Sequence, residues 1–140
     1  MGEVYYEERG EGFPLILVHG FCETCEIWDS LAERLSSDFK VITPDLPGFG
    51  KSPLTDAKIS LTDIGATLNC WLHQIEIRRC LVIGHSLGGY VALSMVAQNP
   101  DYVCRVTSDE GQIGIGHLSR FQELETTTPV ILTTSKLLST

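Results

Sequence analysis

The residues best suited to chemistry lie in one run, Leu81-Val82-Ile83-Gly84-His85-Ser86-Leu87-Gly88-Gly89-Tyr90. An apolar segment stops at Gly84, a serine follows one residue later, two more glycines come next, and an apolar pattern resumes. Gly-x-Ser-x-Gly between a strand and a helix is the signature of a nucleophile elbow. Gly84 and Gly88 let strand and helix approach where side chains would clash. The serine then projects from a strained turn beside a helix N-terminus, which favours developing negative charge. Ser86 is the candidate nucleophile. The competing reading is a Gly-Ser turn without chemistry.

A serine attacking an acyl carbon needs two N–H donors for the oxyanion and a base for its own proton. Leu87, directly after the serine, offers one backbone N–H. The second is expected from the loop Val18-His19-Gly20-Phe21, with Phe21 as the donor. His19 lies too early in that loop to be the base and is expected to bond nearby carbonyls. Two other motifs carry less. The stretch Asp45 to Ser52, "DLPGFGKS", ends like a phosphate loop of the form G-x-x-x-x-G-K-[ST]. Asp45 stands where the first glycine belongs, and Pro53 follows where a helix should open, so nucleotide binding is not expected. Cys22-Glu23-Thr24-Cys25 is a lone C-x-x-C without a second pair or a His-x3-His partner, so neither zinc nor redox chemistry is expected of it.

The elements that must position these residues follow from periodicity. Val4 to Gly12 reads as a strand closing into a glycine turn. Pro14 to Val18, Phe39 to Thr43 and Cys80 to Ile83 are unbroken apolar runs of strand length, the pattern of strands buried on both faces. Ile27, Trp28, Leu31 and Leu35 recur at helical spacing. Ser60-Leu61-Thr62-Asp63 has the form of a capping box, opening a helix striped by Leu61, Ile64, Leu68, Leu72 and Ile75. Leu87 to Gln98 is a third helix, ended by Asn99-Pro100, and Tyr102 to Thr107 a fourth core strand. This alternation predicts an α/β fold with a doubly wound, mostly parallel sheet and helices on both faces.

The 140 residues suffice for one domain. A net charge of −8 argues against nucleic-acid or anionic-membrane partners. Five cysteines, an odd number, without a signal segment point to free thiols and a cytoplasmic location. No span approaches the ~18 apolar residues of a transmembrane helix.

In this order and at these separations, "LILVHGF", "VITPDLPGFGKS" and "LVIGHSLGGYVAL" resemble the N-terminal half of an α/β-hydrolase-fold protein. The resemblance runs from about Val4 to Val106. It implies that the strand before His19 lies beside the strand before Gly84, so that both loops meet at one switch point. It further implies that Asp45 is structural, in a surface loop near the rim of the site. No metal or organic cofactor is implied.

The family places its acid after a later strand and its base near the C-terminus. Of the four histidines, His85 adjoins the serine with its side chain directed away, and His73 lies on a helix surface. His117 remains, and Ser86, then Asp109 or Glu110, then His117 keeps the family's chain order. His117 and Asp109 are the candidate base and acid; the competing reading is a loop histidine without a catalytic role. "TTPVILTTS" resembles the strand preceding the family's acid, yet no Asp or Glu follows Glu125. Residues 1–107 therefore read as an α/β-hydrolase-like core, and 108–140 as a divergent or truncated ending. Without later strands the fourth core strand becomes an open edge, which favours self-association. The expected function is a serine hydrolase acting on carboxylic esters or related small acyl compounds. The alternative is an inactive hydrolase remnant or a small-molecule-binding module.

Overall fold

The computed structural model describes residues 3–54 and 58–99, together with the strand backbones 103–105 and 131–133. The chain runs β1 (Tyr6–Arg9), β2 (Phe13–Val18), a 3₁₀ turn (Cys25–Trp28), α1 (Asp29–Leu35), β3 (Phe39–Pro44), α2 (Leu61–Gln74), β4 (Cys80–Gly84), α3 (Leu87–Gln98), β5 (Val103–Arg105) and β6 (Ile131–Thr133). Across the sheet the order is β1-β3-β2-β4-β5, with β6 also on β4. β1 runs antiparallel to β3, and the remaining pairs are parallel.

The expected doubly wound, mostly parallel sheet is thus present, with three differences of detail. The first strand is shorter than its apolar pattern suggested. The helix expected from Ile27 is preceded by the 3₁₀ turn Cys25–Trp28, whose Glu26 N–H donates to Thr24 Oγ1 at 3.3 Å. The fourth core strand does not stand alone beside β4. β5 pairs with Cys80 and Leu81, while β6, from the segment "TTPVILTTS", pairs with Val82 to Gly84.

β2 shows why the sheet is covered on both sides. Leu15, Ile16, Leu17 and Val18 are all fully buried, and successive side chains point to opposite faces. Leu15 and Leu17 pack with Trp28, Leu31, Leu35 and Phe39, the contribution of α1 and its preceding turn. Ile16 and Val18 pack with Leu68, Leu72, Val91 and Met95, from α2 and α3. Each such buried side chain contributes about 1.5–3 kcal/mol. Among the described residues no helix is long and apolar enough to cross a membrane.

α2 begins as its sequence indicates. Ser60 Oγ accepts from Asp63 N at 3.1 Å, and Asp63 Oδ2 accepts from Ser60 N at 2.8 Å. The Ser60 backbone and hydroxyl hold the Asp63 carboxyl below the usual carboxylate range. Both bonds satisfy helix-end groups that would otherwise lack partners. Replacing Ser60 by Ala should therefore lower stability by about 1 kcal/mol, read as a reduced urea midpoint with an unchanged slope.

Candidate active site

β2 and β4 are neighbours with Val18 opposite Gly84, so the loops leaving them emerge side by side at the carboxyl edge of the sheet. His85 N donates to Val18 O at 2.9 Å and ties the two exits together. The close approach of α3 requires glycine at 88, because a Cβ there would run into the carbonyl oxygens of Val18 and His19.

Ser86 is solvent-exposed with φ 54° and ψ −117°, a backbone conformation costing a non-glycine residue about 1–3 kcal/mol. Gly88 N donates to His85 O at 2.9 Å and Gly89 N to Ser86 O at 3.0 Å, closing the first turn of α3 around it. The Leu87 N–H, first in the helix, takes part in neither bond and remains at the positive end of the helix dipole. Ser86 thus sits between the last residue of β4, Gly84, and the first of α3, Leu87.

The loop after β2 comes up against the serine. A Cβ built on Gly20 would lie 3.2 Å from Ser86 Cβ and 3.0 Å from His85 O. The Gly20 carbonyl is taken from two sides, by His19 Nδ1 at 2.8 Å and by Glu23 N at 3.3 Å. Because a trans peptide sets its N–H opposite its C=O, this turns the Phe21 N–H away from those partners. The Phe21 ring is exposed and meets Phe49 edge-on at 5.7 Å, and Phe49 meets His19 likewise. The Phe21 and Phe49 rings thus cover the buried His19 along the loop.

His19 is fully buried and structural, as expected, and does more than bond a carbonyl. Its Nε2 accepts from Leu46 N at 2.9 Å, so the ring proton sits on Nδ1 and donates to Gly20 O. Burial holds its pKa below the usual histidine value, against the opposing pull of the Gly20 carbonyl, Asp45 and Glu23. A neutral ring is the only form able to make both bonds.

Asp45 is structural too. Its carboxylate accepts from Cys25 N at 2.7 Å and Lys51 N at 2.9 Å. Its own N–H donates to Tyr5 O at 2.8 Å, while its carbonyl accepts from Ser52 Oγ at 2.7 Å. The "GFGKS" stretch therefore wraps a carboxylate of its own chain, in place of the phosphate that the superficial motif would need. Cys22 is exposed and Cys25 buried, both as free thiols. Burial, reinforced by Asp45, pushes the Cys25 thiol up to about 12, far from the reactive range.

The base and acid candidates, His117 and Asp109, and the alternative acid Glu110, lie outside the described residues. His73 is exposed on α2. A cavity of about 390 Å³ lined by Tyr5, Tyr6, Lys51 and Pro53 includes no residue of the elbow or the β2 loop. Sequence reasoning missed Glu23. It sits inside the C-x-x-C that drew attention for its cysteines, and its partner His85 is 62 residues away. No local pattern signals that pairing.

The family model of the α/β hydrolase fold matches residues 14–134. The chain belongs to this family. It is 32% identical over 117 residues to the (E)-2-((N-methylformamido)methylene)succinate hydrolase of Acinetobacter baylyi, covering 83% of this chain and 44% of that protein. To the pimeloyl-[acyl-carrier protein] methyl ester esterase of Vibrio cholerae it is 35% identical over 105 residues, covering 75% of this chain and 39% of the esterase. The solved structure of a thermophilic esterase from Thermogutta terrifontis superposes with a TM-score of 0.71 at 29% identity, over 77% of this chain and 43% of that one. This α/β-hydrolase chain thus spans less than half the length of these relatives.

The buried neutral His19 makes stability pH-dependent. Its folded pKa lies below the unfolded value of 6.5. Above 6.5 neither state carries the proton; below it the unfolded chain binds a proton that the folded chain refuses, until pH falls through the folded value. The urea midpoint of the wild type should fall as pH drops below about 6.5. His19→Asn should be less stable at neutral pH and lack that part of the slope.

Proposed function

We propose that this α/β-hydrolase chain carries the nucleophilic half of a serine hydrolase acting on carboxylic esters or related acyl compounds. The observation that carries the reading is Ser86, an exposed serine at φ 54° on the sharp turn between β4 and α3, with Gly20 against its Cβ. Such a turn is strained, and strain of this kind is kept where the surroundings over-determine it for use. The names of the relatives, a methyl ester esterase and a succinate-derivative hydrolase, support hydrolytic chemistry at an acyl carbon.

In this reading Ser86 Oγ attacks the acyl carbon as His117 takes its proton, and the carbonyl oxygen becomes an oxyanion. The backbone N–H groups of Phe21 and Leu87 receive that oxyanion; each such donor is worth ~10²–10³ in rate. His117 then returns the proton to the leaving alcohol or amine, giving an acyl-serine. Water, deprotonated by His117, attacks the acyl-serine through a second oxyanion; as that collapses, His117 returns the proton to Ser86 Oγ and the acid is released. Asp109 orients His117 and stabilises its cationic form. A serine nucleophile suits esters, thioesters, lactones and amides.

Covalent labelling by a fluorophosphonate tests the activated serine without requiring the substrate. Wild type should label, while Ser86→Ala and His117→Ala should lose labelling although both fold. Labelling that survives in His117→Ala removes that histidine from the mechanism and leaves the serine in place. Folded wild type that does not label overturns the hydrolase reading in favour of a binding module.

A further inference from the structure

One carboxylate oxygen joins the two loops of the site. Glu23 Oε1 accepts from Gly20 N at 2.9 Å and lies 2.9 Å from His85 Nδ1. Glu23 N meanwhile donates to Gly20 O. Residue 23 thus grips Gly20 at both its N–H and its C=O, and through His85 holds the residue directly before the serine. The side chains are largely enclosed, with 25% of Glu23 and 19% of His85 exposed. A carboxylate in that setting loses hydration and is favoured only where hydrogen-bond donors replace the water.

The turn it closes is itself strained. Between Gly20 and Glu23 lie Phe21 and Cys22, and Cys22 adopts φ 57° although it is not glycine. Such a conformation persists only when neighbouring contacts impose it. Among the described residues the bonds that close this turn come from His19 and Glu23, and of these two Glu23 reaches across to the elbow.

We propose that Glu23 is a positioning residue: its carboxylate holds Gly20 by its N–H and His85 by its ring, fixing Gly20 against the Ser86 elbow and so setting where the following Gly20–Phe21 peptide, and with it the Phe21 N–H, stands. The inference rests on the hydrolase reading above for its catalytic consequence, but not for the clamp itself. The carboxylate touches no reacting atom. It acts through Gly20 on one loop and through His85 on the other. Its contribution should appear where charge develops on the acyl oxygen, hence in kcat and in phosphonate labelling rate, with KM unchanged.

The test uses the full chain and two readouts. Backbone amide NMR follows Gly20 and Phe21, including their hydrogen exchange; labelling by a fluorophosphonate and hydrolysis of p-nitrophenyl acetate follow the serine. In Glu23→Ala the Gly20 amide should lose its exchange protection, and labelling per folded molecule should fall about tenfold or more, part of the effect of deleting an oxyanion donor. Glu23→Gln, whose amide oxygen can take the place of Oε1, should recover both readouts to within about threefold. If Glu23→Ala does not fold, Glu23→Asp, one methylene too short to reach Gly20 and His85 together, is read in its place. Unchanged Gly20 and Phe21 amides in these variants overturn the clamp. Altered amides with an unaltered labelling rate overturn its positioning role and leave Glu23 merely structural. A wild type that does not label overturns the hydrolase reading instead, and the Gly20 amide still decides whether the clamp exists.

Discussion

The first turn of α3 rests directly on the end of β2, with the α-carbon of Gly88 against the carbonyls of Val18 and His19. A single methyl group at that position would push the helix off the sheet. With the helix seated so closely, only a sharp turn joins β4 to α3, and Ser86 takes φ 54° to make it. The local cost, about 1–3 kcal/mol, is small beside the burial on either side. β2 and β4 are enclosed on both faces, and each buried aliphatic side chain returns a comparable amount. A rigid two-sided core is therefore what lets a strained, exposed serine persist at its edge.

The loops beside that turn have little regular structure, so their backbone groups depend on side-chain partners. Two carboxylates provide the same service in different places. Asp45 binds the N–H groups of Cys25 and Lys51, drawing together the turn before α1 and the loop after β3. Glu23 binds the N–H of Gly20 and the ring of His85. His19 stands between them, neutral, joining Gly20 O to Leu46 N. None of these three needs to meet a substrate. Glu23 and His19 both hold Gly20, which lies against Ser86, while Asp45 fixes the neighbouring turn.

What could be read from the sequence was whatever is encoded within one turn or one strand. The apolar runs of β2 and β4, the Gly-x-Ser-x-Gly elbow and the Ser60–Asp63 capping box each carry their own explanation over a few residues. The structural roles of Asp45 and His19 were legible only in outline, since Cys25 and Leu46 are 20 and 27 residues from their partners. Glu23 was not legible at all. Its partner His85 lies on another strand's exit, and the two meet only because β2 and β4 are neighbours. The antiparallel direction of β1 and the seat of β6 beside β4 are likewise decided by pairing, which short-range pattern does not record.

Strand direction also constrains what else can join the site. β5 and β6 both run parallel to β4, and the last residue of β6, Thr133, is level with Gly84, two residues before the serine. Arg105, the last of β5, is level with Leu81. Both strands therefore point towards the edge where Ser86 and Gly20 meet. Strands that pair in parallel leave the sheet along one edge, whatever connects them. The same topology that buries β2 and β4 also directs each later strand's exit towards the nucleophile's side. An acid or base borne on such an exit needs only reach across the edge, without rebuilding the core beneath it.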